Sequence, residues 1–184
     1  MVELASKLRK KEVLEKVSNK KPGYYKWWAQ QNEFDLILNE LGLTLGDIDK
    51  DVLKEDGWYC IYIGIAGNES IRKRLKWHVS DHHTASKIKH GTLSTLRQSI
   101  SSIIAHDQFA EDATNEFIDK LKIEYHEVEE GISKETKGKL EKIEKKAMDA
   151  NWYVLNIQCN NYSDKAKETK RRLKTLRKQS KKLE

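Results

Sequence analysis

Gly57-Trp58-Tyr59-Cys60-Ile61-Tyr62-Ile63-Gly64-Ile65, followed by the short turn Ala66-Gly67-Asn68-Glu69 and then Ser70-Ile71-Arg72-Lys73-Arg74-Leu75-Lys76-Trp77-His78-Val79, decides how this chain folds. The first nine residues are aromatic and β-branched with glycines at Gly57 and Gly64, the texture of a strand. From Ser70 the period lengthens. Ile71, Leu75 and Val79 share one face of a helix, while Arg72, Lys73, Arg74 and Lys76 crowd the others.

Upstream, Gly23-Tyr24-Tyr25-Lys26-Trp27-Trp28-Ala29 is a second aromatic strand. Between the two, Phe34, Leu36, Ile37, Leu38 and Leu41 run into Gly42, a helix with its stop signal, and an acidic stretch follows from Gly46 to Asp56. The single proline, Pro22, closes off an earlier segment in which Leu4, Leu8, Leu14 and Val17 recur at helical spacing, so residues 2–19 read as an amphipathic helix. Downstream, a helix is predicted from Leu93 to Ala105. Leu121 to Val128 alternates as a strand with one buried face, Ser133 opens a helix to about Ala150, and Trp152 to Gln158 is a short apolar run. The expected class is α+β: a small, mostly antiparallel three-stranded sheet flanked by helices. Residues 1–21 form an N-terminal helical extension, 22–162 the domain, and 163–184 a basic C-terminal helix. With no repeat or Pro/Gly/Ser-rich linker, one domain is expected for 184 residues.

Composition narrows the function. No stretch reaches the 18 or more apolar residues of a membrane span, and Met1-Val-Glu-Leu-Ala-Ser-Lys lacks the apolar run of a signal peptide, so an intracellular, cytoplasmic protein without a membrane partner is expected. Cys60 and Cys159 lack disulfide or zinc spacing and read as buried thiols. His78, His82, His83 and His90 lack the glutamate of an H-E-x-x-H metal motif. The net charge of +6 favours a polyanionic partner, and it is unevenly placed. Residues 164–184 hold ten basic and three acidic residues, net +7; residues 70–110 hold seven and two, net +5; residues 22–69 hold three and nine, net −6.

Tyr62-Ile63-Gly64, the turn after it, and a helix bearing Arg74-Leu75 and then His78 resemble the second half of the signature of the GIY-YIG nuclease superfamily. Gly23-Tyr24-Tyr25 stands where the family has its first motif, with Tyr24 in place of isoleucine. Leu140-Glu141-Lys142-Ile143-Glu144 resembles the family's helix-borne glutamate, and Leu155-Asn156-Ile157 the asparagine after it. Glu144, twelve positions before Asn156, fits that glutamate better than Glu141. The five elements span 23–156 in the family's order. Two features depart from it: Tyr25 and Tyr62 are 37 positions apart (62 − 25), which implies an insertion at about 30–56, and no proline shortly precedes Asn156. The resemblance implies a divalent-metal-dependent endonuclease acting on DNA, with the insertion and the lack of a second domain leaning to a restriction-type or standalone bacterial or phage protein. Repair, recombination or mobile-element nucleases, and a non-catalytic nucleic-acid-binding module on the same fold, are the alternatives.

Phosphodiester hydrolysis needs a nucleophilic water, counter-charge for the developing phosphorane, and stabilisation of the leaving oxygen. Glu144 is the expected ligand of one Mg²⁺ (or Mn²⁺), which keeps several waters and completes its shell with phosphate. Arg74 presents a planar fork to two phosphate oxygens. Arg74 and His78 are i and i+4 and face the same way on a helix. On a regular strand Tyr62 shares a face with Cys60 and Gly64, opposite Ile61 and Ile63. By resemblance Tyr62 takes the proton from water, with His78 as the rival base, Tyr25 orients water or phosphate, and Asn156 positions the site by hydrogen bonds. Arg72, Lys73, Lys76 and Arg97 are candidate phosphate contacts, with Lys87 and Lys89 beside them. In the tail, Lys170, Arg171, Arg172, Arg177 and Lys178, with Lys181 and Lys182, form a basic helix edged by Leu173 and Leu176, whose removal is expected to weaken DNA binding and spare the fold. The expected partner is double-stranded DNA, and symmetric cleavage by one-site subunits implies a homodimer.

Overall fold

Pro22 ends an irregular N-terminal segment, and the aromatic strand after it becomes the centre of the molecule. The computed structural model describes residues 1–48, 50–158 and 162–181. The chain runs through β1 (Val2–Leu4), α1 (Ala5–Leu8), α2 (Lys11–Leu14), β2 (Gly23–Gln30), α3 (Gln31–Glu40), α4 (Leu45–Ile48), β3 (Lys54–Glu55) and β4 (Trp58–Ala66). It continues through α5 (Ile71–Ser80), α6 (Ala85–His90), α7 (Thr95–Ile104), α8 (Glu111–Asp119), β5 (Lys122–Glu127), α9 (Lys134–Ala150) and α10 (Asp164–Gln179).

The strands form one antiparallel sheet in the order β1-β5-β2-β4-β3. The α+β class holds, and the expected three-stranded sheet becomes five-stranded. The three strands legible in the sequence, β2, β4 and β5, are its centre; the two additions are edge strands of three and two residues, too short to display a period. Between two neighbours, β2 buries Tyr25, Trp27, Trp28 and Ala29 almost completely. Residues 2–19, expected as one helix, are instead β1 and two single-turn helices, because Val2 to Leu4 pairs with β5 and its backbone bonds go to a neighbouring strand.

Ser70, Ser94, Ser133 and Ser163 each accept a hydrogen bond from a first-turn amide, starting α5, α7, α9 and α10. Gly91, at φ 66°, ends α6 in the left-handed conformation that glycine adopts without cost. One face of the sheet carries the main core, built with α3, α5, α7, α8 and α10. The other carries a smaller cluster of Trp28, Cys60 and Ile63 under Met148 of α9 and Tyr153. Burial pushes the Cys60 thiol well above its ordinary value, so it is an inert core group; Cys159 lies outside the described residues.

The 30–56 insertion is part of the core. Phe34, Ile37, Leu38, Leu43 and Ile48 are buried, with Phe34 stacked on Tyr59 at 4.4 Å between centroids. Its acidic side faces the basic C-terminal helix: Lys165 pairs with Asp47 at 2.7 Å, Arg172 Nε donates to the Glu40 carbonyl at 2.9 Å, and Tyr162 donates to Asp51 at 3.0 Å. The Lys165 hydrogen bond leads in holding the Asp47 carboxyl down to about 2. Helix α10 is therefore docked. Ala166, Thr169 and Leu173 are buried, and removing the helix would open the main core, so deletion of 164–184 is expected to destabilise the fold rather than spare it. Leu173→Ala is expected to lower the unfolding free energy by about 2–4 kcal/mol. An unchanged urea midpoint would show that α10 does not contribute to the core.

Candidate active site

The site begins with the pairing of β2 and β4, which sets Tyr25 opposite Gly64 and Trp27 opposite Tyr62. A Cβ at residue 64 would lie 2.5 Å from the Tyr25 phenol oxygen, so only glycine lets that ring lie across β4. Between Trp27 and Trp28 the register slips, and Ile61 has no partner across the ladder. This bulge corrects the alternation expected of a regular strand: Tyr62 packs with Ile61 against the main core, whereas Cys60 and Ile63 point into the smaller cluster. The extra residue turns Tyr62 onto the face that carries Tyr25.

Tyr25, Tyr62, Gly64, Arg74, Thr95, Glu141 and Glu144 line a single open pocket of about 920 Å³, with Trp77, Gln158 and Tyr162 at its walls. The Tyr25 and Tyr62 rings stack at 6.4 Å. Arg74 lies over Trp77 at 4.8 Å and gives one amino group to Glu69 at 2.7 Å, while its buried Nε has no hydrogen-bond partner among the described residues. The guanidinium as a whole lines the pocket, and its planar charge is suited to an oxyanion there. Asn156 is buried and stitched to the Ile63 backbone, accepting from its N–H at 2.9 Å and donating to its carbonyl at 2.8 Å. It fixes β4 one residue beyond Tyr62.

His78 stands apart from the pocket. It is fully buried, with Nε2 at 2.7 Å from the Tyr25 hydroxyl and Nδ1 at 2.7 Å from the Ser94 hydroxyl. Burial, then Arg74 and Arg97, push its pKa well below the ordinary value, so the ring is neutral. Burial raises Tyr25 well above the usual phenol value. Tyr62 is pushed up to about 12, by burial and by Glu144, with Arg74 and Arg177 pulling the other way. Glu144 is raised to about 7 by burial and by Glu141.

That carboxylate tests the fit of a cation. Glu144 is half-buried with no cationic partner among the described ion pairs, and its neighbour Glu141 is exposed and paired with Lys137 at 3.7 Å. Among the described residues no three His, Cys, Asp or Glu side chains gather into a cage. The donor set fits a hard ion that takes one carboxylate and draws its other ligands from water and phosphate, as Mg²⁺ does.

The expected phosphate contacts divide. Lys73, Lys76, Arg171 and Lys178 are exposed, with Lys73 3.5 Å from Glu69. Arg72 binds the Glu15 and Val17 carbonyls, Arg172 the Glu40 carbonyl, and Lys170 is half-buried; Lys182 lies outside the described residues. Arg97 is not a surface contact. It is 0% exposed, and its guanidinium binds His83, the His78 and Val79 carbonyls and Asn115, tying α5, α7 and α8 together. Arg177, expected on a DNA-facing edge, is half-buried, bonds Gln98 and adds positive charge beside Tyr62. Ser94 and Thr95 read in the sequence as part of a helix start, and Trp77 as part of the basic helix. A serine before a helix marks a cap, and nothing local reveals what else its hydroxyl meets.

A family model described as the GIY-YIG catalytic domain matches residues 23–179. The chain belongs to that family, a family of nuclease domains. The match extends through α10. No curated protein and no solved structure matches the chain. No helix among the described residues is long and apolar enough to cross a membrane.

The raised Glu144 pKa has a sign. Protonation favours the folded form, so the group's contribution is present below the unfolded value and lost as pH rises through about 7. Discounted for its partial exposure, Glu144→Gln is expected to stabilise the metal-free protein by about 1–2 kcal/mol at pH 8, the gain vanishing below pH ~4. Denaturation at the two pH values checks this; an equal effect at both would refute the origin given.

Proposed function

We propose that the chain is a divalent-metal-dependent endonuclease that hydrolyses phosphodiester bonds of double-stranded DNA, of restriction type, with Mg²⁺ or Mn²⁺ as cofactor. The observation that carries this reading is the convergence of Tyr25, Tyr62, Arg74 and Glu144, from four separate elements, on one pocket. Such a set exceeds what DNA binding alone requires.

Arg74 binds the scissile phosphate through its guanidinium, which lines the pocket, and steadies the charge that grows on the phosphoryl oxygens. Tyr62 is the base. It reaches the pocket, whereas His78, the rival, is sealed behind Tyr25 with both ring nitrogens engaged. A phenol near 12 is a poor base unaided, and Arg74 and Arg177 both favour its ionised form. Glu144 is the residue that would hold the metal ion, which supplies positive charge to activate water and offset the phosphate. Tyr25 orients the substrate, and Asn156 fixes the strand that presents Tyr62. Two strands cut at matching positions require two such pockets, so the acting species is a homodimer.

The deciding assay incubates the protein with supercoiled and linear DNA, with and without Mg²⁺, beside Arg74→Ala and Glu144→Ala. Wild type is expected to cut only with metal, and each variant to lose about 100-fold or more. Equal cutting by wild type and both variants, or none by wild type, would refute the reading. Lys73, Lys76, Arg171 and Lys178 are exposed and form the proposed phosphate-binding set. Replacing Arg171 and Lys178 together by Gln is expected to reduce the slope of log K against log salt by about 1.8 if both touch phosphate. An unchanged slope would show that these charges serve solubility.

A further inference from the structure

Beneath the pocket lies a chain of three buried polar groups, Ser94 Oγ, His78 and Tyr25 Oη, joined by two contacts of 2.7 Å. We infer that Ser94 is a positioning residue of this site: its hydroxyl donates to His78 Nδ1, which places the imidazole proton on Nε2 facing Tyr25 and turns the Tyr25 hydroxyl hydrogen away from His78, towards Tyr62 on the pocket side. The kinetic consequence rests on the nuclease reading; the hydrogen-bond direction does not.

Direction follows from satisfiability. A neutral imidazole carries one N–H and one bare nitrogen, so its two contacts run in opposite senses. Burial and the nearby Arg74 and Arg97 keep His78 in that neutral form. Ser94 is 0% exposed, so its hydroxyl hydrogen needs an acceptor inside the protein. As the cap of α7, its oxygen receives the Arg97 N–H at 3.5 Å, and its own N–H goes to Asp81. Neither contact accepts the hydroxyl hydrogen. Among the described residues the one acceptor in reach is His78 Nδ1. The reverse arrangement would bury a hydroxyl donor without an acceptor, which is costly. With Nδ1 accepting, Nε2–H donates to Tyr25 Oη, and the phenol hydrogen must point elsewhere. Tyr25 lies across Gly64 and lines the pocket beside Tyr62, and the Tyr62 hydroxyl is the acceptor on that side, its ionised form favoured by a hydrogen bond from Tyr25. Tyr25 is thereby a fixed donor on the pocket side, directed to the Tyr62 hydroxyl, and is unavailable as a base. The cap that starts α7 thus also sets the polarity of the first tyrosine motif.

Two readouts test this on the full chain. In protein with ¹⁵N-labelled histidine, a long-range ¹H–¹⁵N correlation spectrum shows which nitrogen of His78 carries the proton, with His78→Gln supplying the assignment. Wild type is expected to show a single Nε2–H tautomer, and a proton on Nδ1 would overturn the inference. Kinetics then ask whether the polarity matters. Glycine is nearly as good a helix cap as serine, so Ser94→Gly is expected to fold while losing the hydroxyl. Its kcat is expected to fall about tenfold or more with KM within about twofold, and Ser94→Thr, which restores a hydroxyl, to recover most of the loss. Wild-type kcat in Ser94→Gly would overturn the positioning role. Absence of cleavage by wild type would sink the nuclease reading alone, and the spectrum would still decide the direction of the hydrogen bonds.

Discussion

The contact between the Tyr25 phenol and the backbone of Gly64 is the constraint on which the rest depends. A side chain of any size at residue 64 would strike the phenol, and the ring could not lie across β4. With the ring there, its hydroxyl reaches His78 on α5, and α5 is held at the angle that brings Arg74 to the pocket. The β4 bulge at Ile61 completes the arrangement by turning Tyr62 onto the same face. Glycine and bulge are backbone devices, and together they let two aromatic strands present their polar ends at one place.

Charge is organised by a similar economy. The acidic insertion and the basic C-terminal helix answer each other, through Lys165 with Asp47 and Arg172 with the end of α3. Exposed pairs such as these add little stability one by one, and the docking of α10 rests more on Leu173 and Ala166 in the core. Their value is in placement. A docked α10 brings Arg177 to Gln98 and to the side of Tyr62, where its charge opposes the pull of Glu144. Arg97 shows the other use of a buried guanidinium: with four hydrogen bonds, to His83, two carbonyls and Asn115, it is a structural rivet between three helices.

Legibility followed the strength of local signals. The strands β2, β4 and β5 and the helices α5, α7 and α9 could be read because their periods run over six or more residues and serine caps mark the helix starts. The edge strands β1 and β3, of three and two residues, carry no period, and α8 shows few apolar positions beyond Phe117 and Ile118. Residues 2–19 misled because Leu4 and Leu8 keep helical spacing while the pairing of β1 with β5 overrides it. Of the expected site residues, Tyr25, Tyr62, Arg74 and Glu144 meet at the pocket, with Asn156 and His78 immediately behind it.

By itself the sequence determined the class of fold, the family, the side chains able to serve phosphodiester chemistry and the uneven distribution of charge, since each of these lies in residue type and spacing along the chain. Only the tertiary structure decided what those side chains face. Composition makes Arg97 and Lys178 equivalent cations, yet one is sealed between helices and the other is in solvent. The sequence offers Tyr62 as a base and His78 as its rival, and in the fold His78 is fully buried while Tyr62 lines the pocket. Ser94 is a helix cap in one dimension and the partner of His78 in three. The reason is common to all of these: solvent exposure and hydrogen-bond partners are set by residues distant in sequence, and they govern whether a polar group is structural, catalytic or free to bind.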